Sequence, residues 1–165
     1  ILAPVFVGEW ANPTKGKELA LSLIQLGADA IYVAAGKSGL GALAAVNEKK
    51  VMGFGVDACQ CYLYPEIIAS MTKRVDAAVF EMIVAAVLAK AYPFLPTPFK
   101  GGIYEKGVKD GWTGTCRLPE EEAFWETKFN FKHKALSSTV VAKLKEARDK
   151  IVSGEIKVPR PEGMS

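Results

Sequence analysis

The chain predicts an α/β fold in which a parallel sheet is flanked by helices. Three observations carry this. Apolar runs of strand length recur, each stopped by glycine or aspartate; stretches with helical spacing of Leu and Val separate them; and the links are only a few residues long. Two consecutive strand–helix–strand units with such short links close as parallel strands crossed by helices.

Taken in order, Val5 to Gly8 reads as a buried strand, an apolar run ended by glycine. Asn12 is placed as the N-cap of a helix with Pro13 in its first position, where a missing N–H does no harm. Leu19, Leu23 and Leu26 recur on one helical face, and Gly27 supplies the stop. Ala30 to Ala34 is the second strand. Leu40, Leu43, Ala44 and Val46 then mark one face of a second helix, which ends at Asn47-Glu48-Lys49-Lys50. Val51 to Val56 is the third strand, and the order so far is that of a Rossmann-like sheet.

Beyond Asp57 the pattern is less regular. Ile67 to Met71 reads as a fourth short strand, and a long helix follows from about Arg74 to Ala91, stopping at Pro93. Its run Ala77 to Ala91 is interrupted by Glu81 and Lys90 and falls short of the ~20 residues a membrane span needs, so it reads as a buried helix. Tyr92 to Gly102 is rich in Pro and Gly and reads as a loop or crossover. Ile103 to Cys116 holds turn signals at Lys106-Gly107 and Asp110-Gly111, with one or two extended segments between. A surface helix is expected after Pro119 and an amphipathic one from about Ser138 to Val152. The tail after Gly154 has a short extended piece and then Pro and Gly.

At 165 residues, half of them hydrophobic, the chain suffices for one ordinary domain with a sizeable core. The net charge is only +3, and basic residues are mixed with acidic ones, as in "KLKEARDK" at Lys143 to Lys150, so nucleic acid is not an expected partner. Cys59, Cys61 and Cys116 are too few for a disulfide scaffold. Cys59 and Cys61 lack the C-x-x-C spacing of zinc and redox sites, and His133 is the single histidine, so no metal or cofactor is expected. An inert apolar role is the default for each cysteine, with a disulfide from one of the pair to Cys116 left open. The chain opens directly on "ILAPVFVGEW", without an initiator methionine, charged leader or cleavage site, which suggests a piece of a longer protein.

The stretch "VAAGKSGLG", Val33 to Gly41, contains the Gly-Lys-Ser that ends a phosphate-binding P-loop. The first glycine of that motif would fall at Ile31, and Tyr32 to Ala35 reads as the end of an apolar strand, which cannot curl around phosphates.

In an open parallel sheet the ligand crevice lies beyond the carboxyl ends of the strands. Three loops sit there: "GEWANPTKG", "AAGKSGLG" and "GVDACQC". Trp10 offers a stacking face, Gly36 lets a ligand approach the backbone, and Asp57 can accept two hydrogen bonds from a vicinal diol. Each also has a plain structural role: Trp10 as cover over a core, Asp57 as a helix cap, Gly36 as a turn, Lys73 as a solvated cation.

Together with "ASMTKRVDAAVFEMI", "YEKGVKDG" and "IVSGEIKVP", these loops resemble the basic membrane protein family of ABC-transporter solute-binding proteins, the purine-nucleoside receptor lipoproteins. The matching segments follow the family's order along almost the whole chain. The resemblance implies a type I periplasmic-binding-protein fold of two lobes closing on a ligand. This chain then corresponds to a single α/β lobe over residues 1–165, the second lobe, with crossover segments near 57–75 and 92–102. It also implies roles. Trp10 stands where the family has a phenylalanine that sandwiches the base, and Gly36 matches the glycine bordering the ligand, with Lys37 replacing a second glycine. Asp57 and Lys73 match the pair at the ribose hydroxyls, and Asn12 matches an asparagine whose default role is capping. Cys59 and Cys61 depart from the family's more usual polar residues.

The expectation is therefore a non-catalytic receptor for a nucleoside, a purine one by the resemblance, working with ABC permease subunits outside the cytoplasmic membrane and held there by a lipid anchor on an absent N-terminus. A small α/β enzyme acting on a nucleoside or sugar, with Asp57 or Cys59 in its chemistry, is the alternative, and a ligand-sensing regulator is a third. The apolar helix and the Pro-rich crossover are expected to leave a face that drives self-association of the 165 residues.

Overall fold

The computed structural model describes residues 1–91, 105–129 and 134–159. Within them run α1 (Pro13–Gln25), β1 (Ala30–Tyr32), α2 (Gly39–Lys49), β2 (Met52–Gly55), β3 (Ile67–Lys73), α3 (Val75–Ala91), β4 (Thr113–Thr115), α4 (Pro119–Phe129) and α5 (Ser138–Ser153). The strands form one sheet in the order β1-β2-β3-β4. β1 and β2 are parallel, with Ala30 opposite Met52 and Tyr32 opposite Phe54. β2 and β3 are also parallel, with an irregularity between Gly53 and Phe54. Hydrogen bonds from Cys116 N–H to the Ser70 carbonyl and from Arg74 N–H to the Trp112 carbonyl run β4 antiparallel to β3.

Local chemistry sets the element ends. The Asn12 side chain accepts from the Lys15 N–H and Pro13 begins α1. Gly27, at φ +95°, takes the chain out of the helix. α2 closes on Lys50 in the left-handed conformation, whose N–H reaches the Val46 carbonyl. α4 starts at Pro119, with Glu120, Glu121 and Glu122 at its positive end.

Contacts divide the chain into two compact units: Ile1–Thr72 with Thr115–Ser137, and Lys73–Gly114 with Ser138–Ser165. The first holds a core of Ala20, Ile31, Val33, Ala42, Leu43, Ala45, Val46 and Ile67. Each fully buried Leu, Val or Ile there is worth about 1.5–3 kcal/mol. The inner face of α2 is broader than the leucine spacing suggests: Gly41, Ala42 and Ala45 are buried with Leu43 and Val46, while Leu40 is exposed. Small residues fill that face because α1 and α2 touch through backbone. A Cβ on Gly41 would overlap the Pro13 carbonyl, and one on Gly16 the Ser38 carbonyl.

The expected first strand is not one. Residues 5–8 carry no ladder, and Phe6 is 85% exposed. β1 is bonded on its β2 side only, and no ladder joins residues 5–8 to its other edge. Val33 N–H bonds the Phe54 carbonyl and Met52 N–H bonds the Asp29 carbonyl, so the odd-numbered backbone groups face β2. Those of Ala30 and Tyr32 therefore point the other way. On that side lies an open trough of about 830 Å³, walled by Ile1 to Val7, by Leu19 and Leu23 of α1, and by Ala28 to Ala35. Val5 to Val7 lie across this trough from β1.

In the second unit, α3 runs one residue shorter than expected at its start, and most of its apolar side chains are not buried: Ala85 is, but Val75, Val79, Phe80, Ile83, Val87 and Leu88 are exposed, Phe80 at 68%. Pro93 and the 92–102 crossover lie outside the described residues. Lys106 pairs with Glu81 and sits 5.2 Å from the centre of the Trp112 ring. No helix among the described residues is long and apolar enough to cross a membrane.

Gly41→Ala forces α1 and α2 apart and is expected to cost about 1–3 kcal/mol, the usual range for overpacking. Urea unfolding followed by circular dichroism measures it; an unchanged midpoint would mean that the two backbones do not meet.

Candidate functional site

The loop after residue 8 and the loop between β1 and α2 are joined by one side chain. Ser38 is fully buried. Its hydroxyl donates to the Glu9 carbonyl at 2.6 Å and accepts from the Asn12 N–H at 2.8 Å. Its own N–H donates to the Trp10 carbonyl at 3.1 Å. Trp10 thus lies between residues whose backbones are both tied to Ser38, while its side chain stays 80% exposed. Gly36, at φ +54°, lies under it: a Cβ there would come within 3.0 Å of the Trp10 ring and 3.2 Å of its carbonyl oxygen. Only glycine permits both the turn and the contact.

The lysine and serine after Gly36 build no phosphate cradle. Ile31 and Tyr32 are inside β1, and Gly36 to Ser38 form a single 3-10 turn leading into α2. The sequence resemblance to a P-loop ends there, and the serine serves as a clamp. Nothing in the three letters Gly-Lys-Ser distinguishes the two uses.

Asn12 is brought to this cluster, but its side chain is engaged locally. Oδ1 accepts from the Lys15 N–H at 3.0 Å, and Nδ2 donates to Glu9 Oε2 at 3.3 Å. Glu9 in turn lies 3.6 Å from the Lys15 ammonium.

Asp57 follows β2 by two residues and is exposed. Its φ is +67°, and the Ala58 N–H donates to the Val56 carbonyl at 2.8 Å across it. That is a γ-turn with a positive-φ centre, a rare and strained arrangement for a residue with a side chain. Gln60 braces the turn: its Oε1 accepts from the Val56 N–H at 3.0 Å, and its N–H donates to Ser70 Oγ at 3.0 Å. The sequence signals the aspartate but not the strain.

Since β1 and β2 are parallel, the loop carrying Gly36 and the loop carrying Asp57 leave the sheet at the same end. Lys73 is the last residue of β3 and exposed; it falls in the second unit. The large trough beside β1 includes none of the five candidate residues. An exposed indole with a side-chain-free backbone beneath it offers stacking to a flat ligand, and an exposed aspartate at a strained turn offers hydrogen-bond acceptance.

Residues 4–162 match a family, Bmp, described as "ABC transporter substrate-binding protein PnrA-like". The chain belongs to the Bmp family. It is 31% identical over 160 residues to an uncharacterised lipoprotein of Pyrococcus furiosus, covering 92% of this chain and 38% of that one. It is likewise 31% identical over 157 residues to basic membrane protein D of Borreliella burgdorferi, covering 93% and 41%. A crystal structure of ABC transporter system solute-binding proteins from Aeropyrum pernix superposes with a TM-score of 0.70 at 28% identity, covering 97% of this chain and 48% of that one. The fold of this Bmp chain, a mostly parallel sheet flanked by helices, is thus that of an ABC solute-binding protein. The chain spans about two fifths of the length of the two relatives.

Ser38→Ala leaves the Asn12 N–H and the Glu9 carbonyl without their partner and is expected to cost about 1–3 kcal/mol. With ¹⁵N-labelled tryptophan, the Trp10 indole signal is expected to shift and broaden while the Trp125 signal, held by Glu121, stays put. If Trp10 does not respond, the clamp does not hold its loop.

Proposed function

We propose that this chain is one lobe of an extracytoplasmic ABC-transporter solute-binding protein that takes a nucleoside, most simply a purine one. The observation that carries the reading is the placing of Trp10 and Asp57 on exposed loops: an indole 80% exposed and an exposed aspartate at a strained turn. A nucleoside offers one group to each, a flat base to stack and a vicinal diol to donate two hydrogen bonds. Gly36 borders the ligand through its backbone. Asn12 shapes the first loop as a cap, and the family resemblance gives Lys73 a role at the sugar.

On this reading, the remaining polypeptide supplies the first lobe and the second wall of the site, and permease subunits receive the ligand. The relatives' description as lipoproteins supports a lipid anchor outside the cytoplasmic membrane. The trough beside β1 then receives an extended segment from that polypeptide, pairing with Ala30 and Tyr32. Its length outside this chain is ample, since more than half of each relative lies beyond the match. The protein acts by binding and closure, without turnover.

Calorimetric titration of the full-length protein with inosine, adenosine, guanosine and uridine tests the ligand. Binding of purine nucleosides is expected, weakened by Trp10→Ala by about 1–3 kcal/mol and by Asp57→Ala by about 1.5–3 kcal/mol. No binding to any nucleoside, or conversion of one to product, overturns the reading.

The exposed face of α3 gives a second expectation. The isolated 165-residue chain should self-associate in sedimentation velocity, and the double change Phe80→Glu and Ile83→Glu should return it to a monomer. A wild-type monomer at every concentration would show that α3 needs no cover.

A further inference from the structure

The sequence leaves open only a pairing of Cys59 or Cys61 with Cys116, and the fold brings all three together. Cys59 and Cys61 lie on the segment that braces the Asp57 turn, and Cys116 follows β4 directly. Their Sγ atoms all lie within 4.8 Å of one another, and Cys61 and Cys116 are 3.9 Å apart. Cys59 and Cys116 are fully buried and Cys61 is half-buried. Ala58, Phe124 and Trp125 pack around them.

We propose that Cys59, Cys61 and Cys116 form a binding site for a single thiophilic cation, copper(I), held by three thiolates. Three sulfurs at about 2.3 Å from a common ion in a trigonal plane stand about 4.0 Å apart, whereas a disulfide needs about 2.05 Å. The observed 3.9 Å fits the first spacing. Among the described residues no carboxylate completes the group, so the donor set is sulfur alone. Soft thiolates select copper(I), while structural zinc asks for a fourth ligand that this set does not hold.

The surroundings favour thiolate. Arg117, adjacent to Cys116, is 2% exposed. Its guanidinium pairs with Glu122 at 2.9 Å and with the Lys134 carbonyl, while its buried Nε has no hydrogen-bond partner among the described residues. Hydrogen bonds from Cys116 and Cys59, and then the charge of Arg117, hold the Cys61 thiol well below its usual range. Hydrogen bonding with Cys116 and Cys61, together with burial, pushes the Cys59 thiol up. Binding of a cation to the three sulfurs releases their protons. This inference does not depend on the ligand proposed for the solute site.

The test is an anaerobic titration of the reduced full-length protein with copper(I) against bicinchoninate. The expected result is one copper per chain, with a sulfur-to-copper charge-transfer band in the ultraviolet and protection of all three thiols from alkylation. Cys61→Ser, at the half-buried position, is expected to weaken binding at least a hundredfold while leaving the circular dichroism unchanged. Thiol protection in the unmodified protein keeps the test decisive if that variant fails to fold. Absence of binding, copper binding without thiol protection, or a mass 2 Da lower that marks a Cys61–Cys116 disulfide in freshly purified protein would each overturn the proposal.

Discussion

The close approach of the first turns of α1 and α2 governs the rest of the first unit. Gly16 faces the Ser38 carbonyl and Gly41 the Pro13 carbonyl, with no room for a Cβ at either. That approach puts the Ser38 hydroxyl where it can use a donor and an acceptor bond on the loop in front of α1, while its N–H takes a third. Backbone groups at such a buried crossing must find partners within the protein. Satisfying them fixes where Glu9, Trp10 and Asn12 can be. The exposed indole of Trp10 therefore rests on a backbone that is as constrained as the core beneath it.

Local patterns made much of this readable from residues. Asn12-Pro13, Gly27 and Pro119 marked helix ends because capping and φ preferences act within a few residues, and the helices begin or end there. Gly36 could be placed on a loop at one end of a parallel sheet because strand order alone sets that end, whereas Trp10 comes there through Ser38 and not through a preceding strand. The rest was illegible for a common reason: it depends on partners distant in sequence. Val5 to Gly8 has the composition of a strand, but a strand exists only when paired, and no ladder joins it to the open edge of β1. Ser38 reaches back 26 residues to Asn12, and Cys116 reaches 55 to Cys61. Leu40 looked like a core leucine because spacing cannot tell which side of α2 meets glycine-lined backbone.

Two surfaces stand open for related physical reasons. The outward backbone groups of Ala30 and Tyr32 form a sheet edge of the kind that pairs readily with another strand. Along α3, apolar side chains recur on every side, a pattern that belongs to helices covered all round rather than on one stripe. Leaving such a face in water forgoes roughly 25 cal/mol for each Å² that a partner would cover. Both features suit a chain that spans two fifths of its relatives' length. The same sequence choices that leave these surfaces bare here become ordinary core choices when further polypeptide lies against them.

The strained turn at Asp57 has the opposite logic, since it is a cost accepted within the unit itself. Holding a side-chain-bearing residue at positive φ costs on the order of 1–3 kcal/mol, and the Gln60 braces must outweigh that. A flexible loop would present the same carboxylate more cheaply but would lose conformational entropy on every binding event. On the proposed reading, strain is exchanged for preorganisation: the acceptor is already in place when the diol arrives. Preorganisation alone does not supply affinity, because an exposed carboxylate is screened by water and exchanges one set of hydrogen bonds for another. Its bonds gain strength when a second surface closes over the site and excludes that water. On that reading, the geometry for recognition can reside in this chain while the affinity requires a second surface as well.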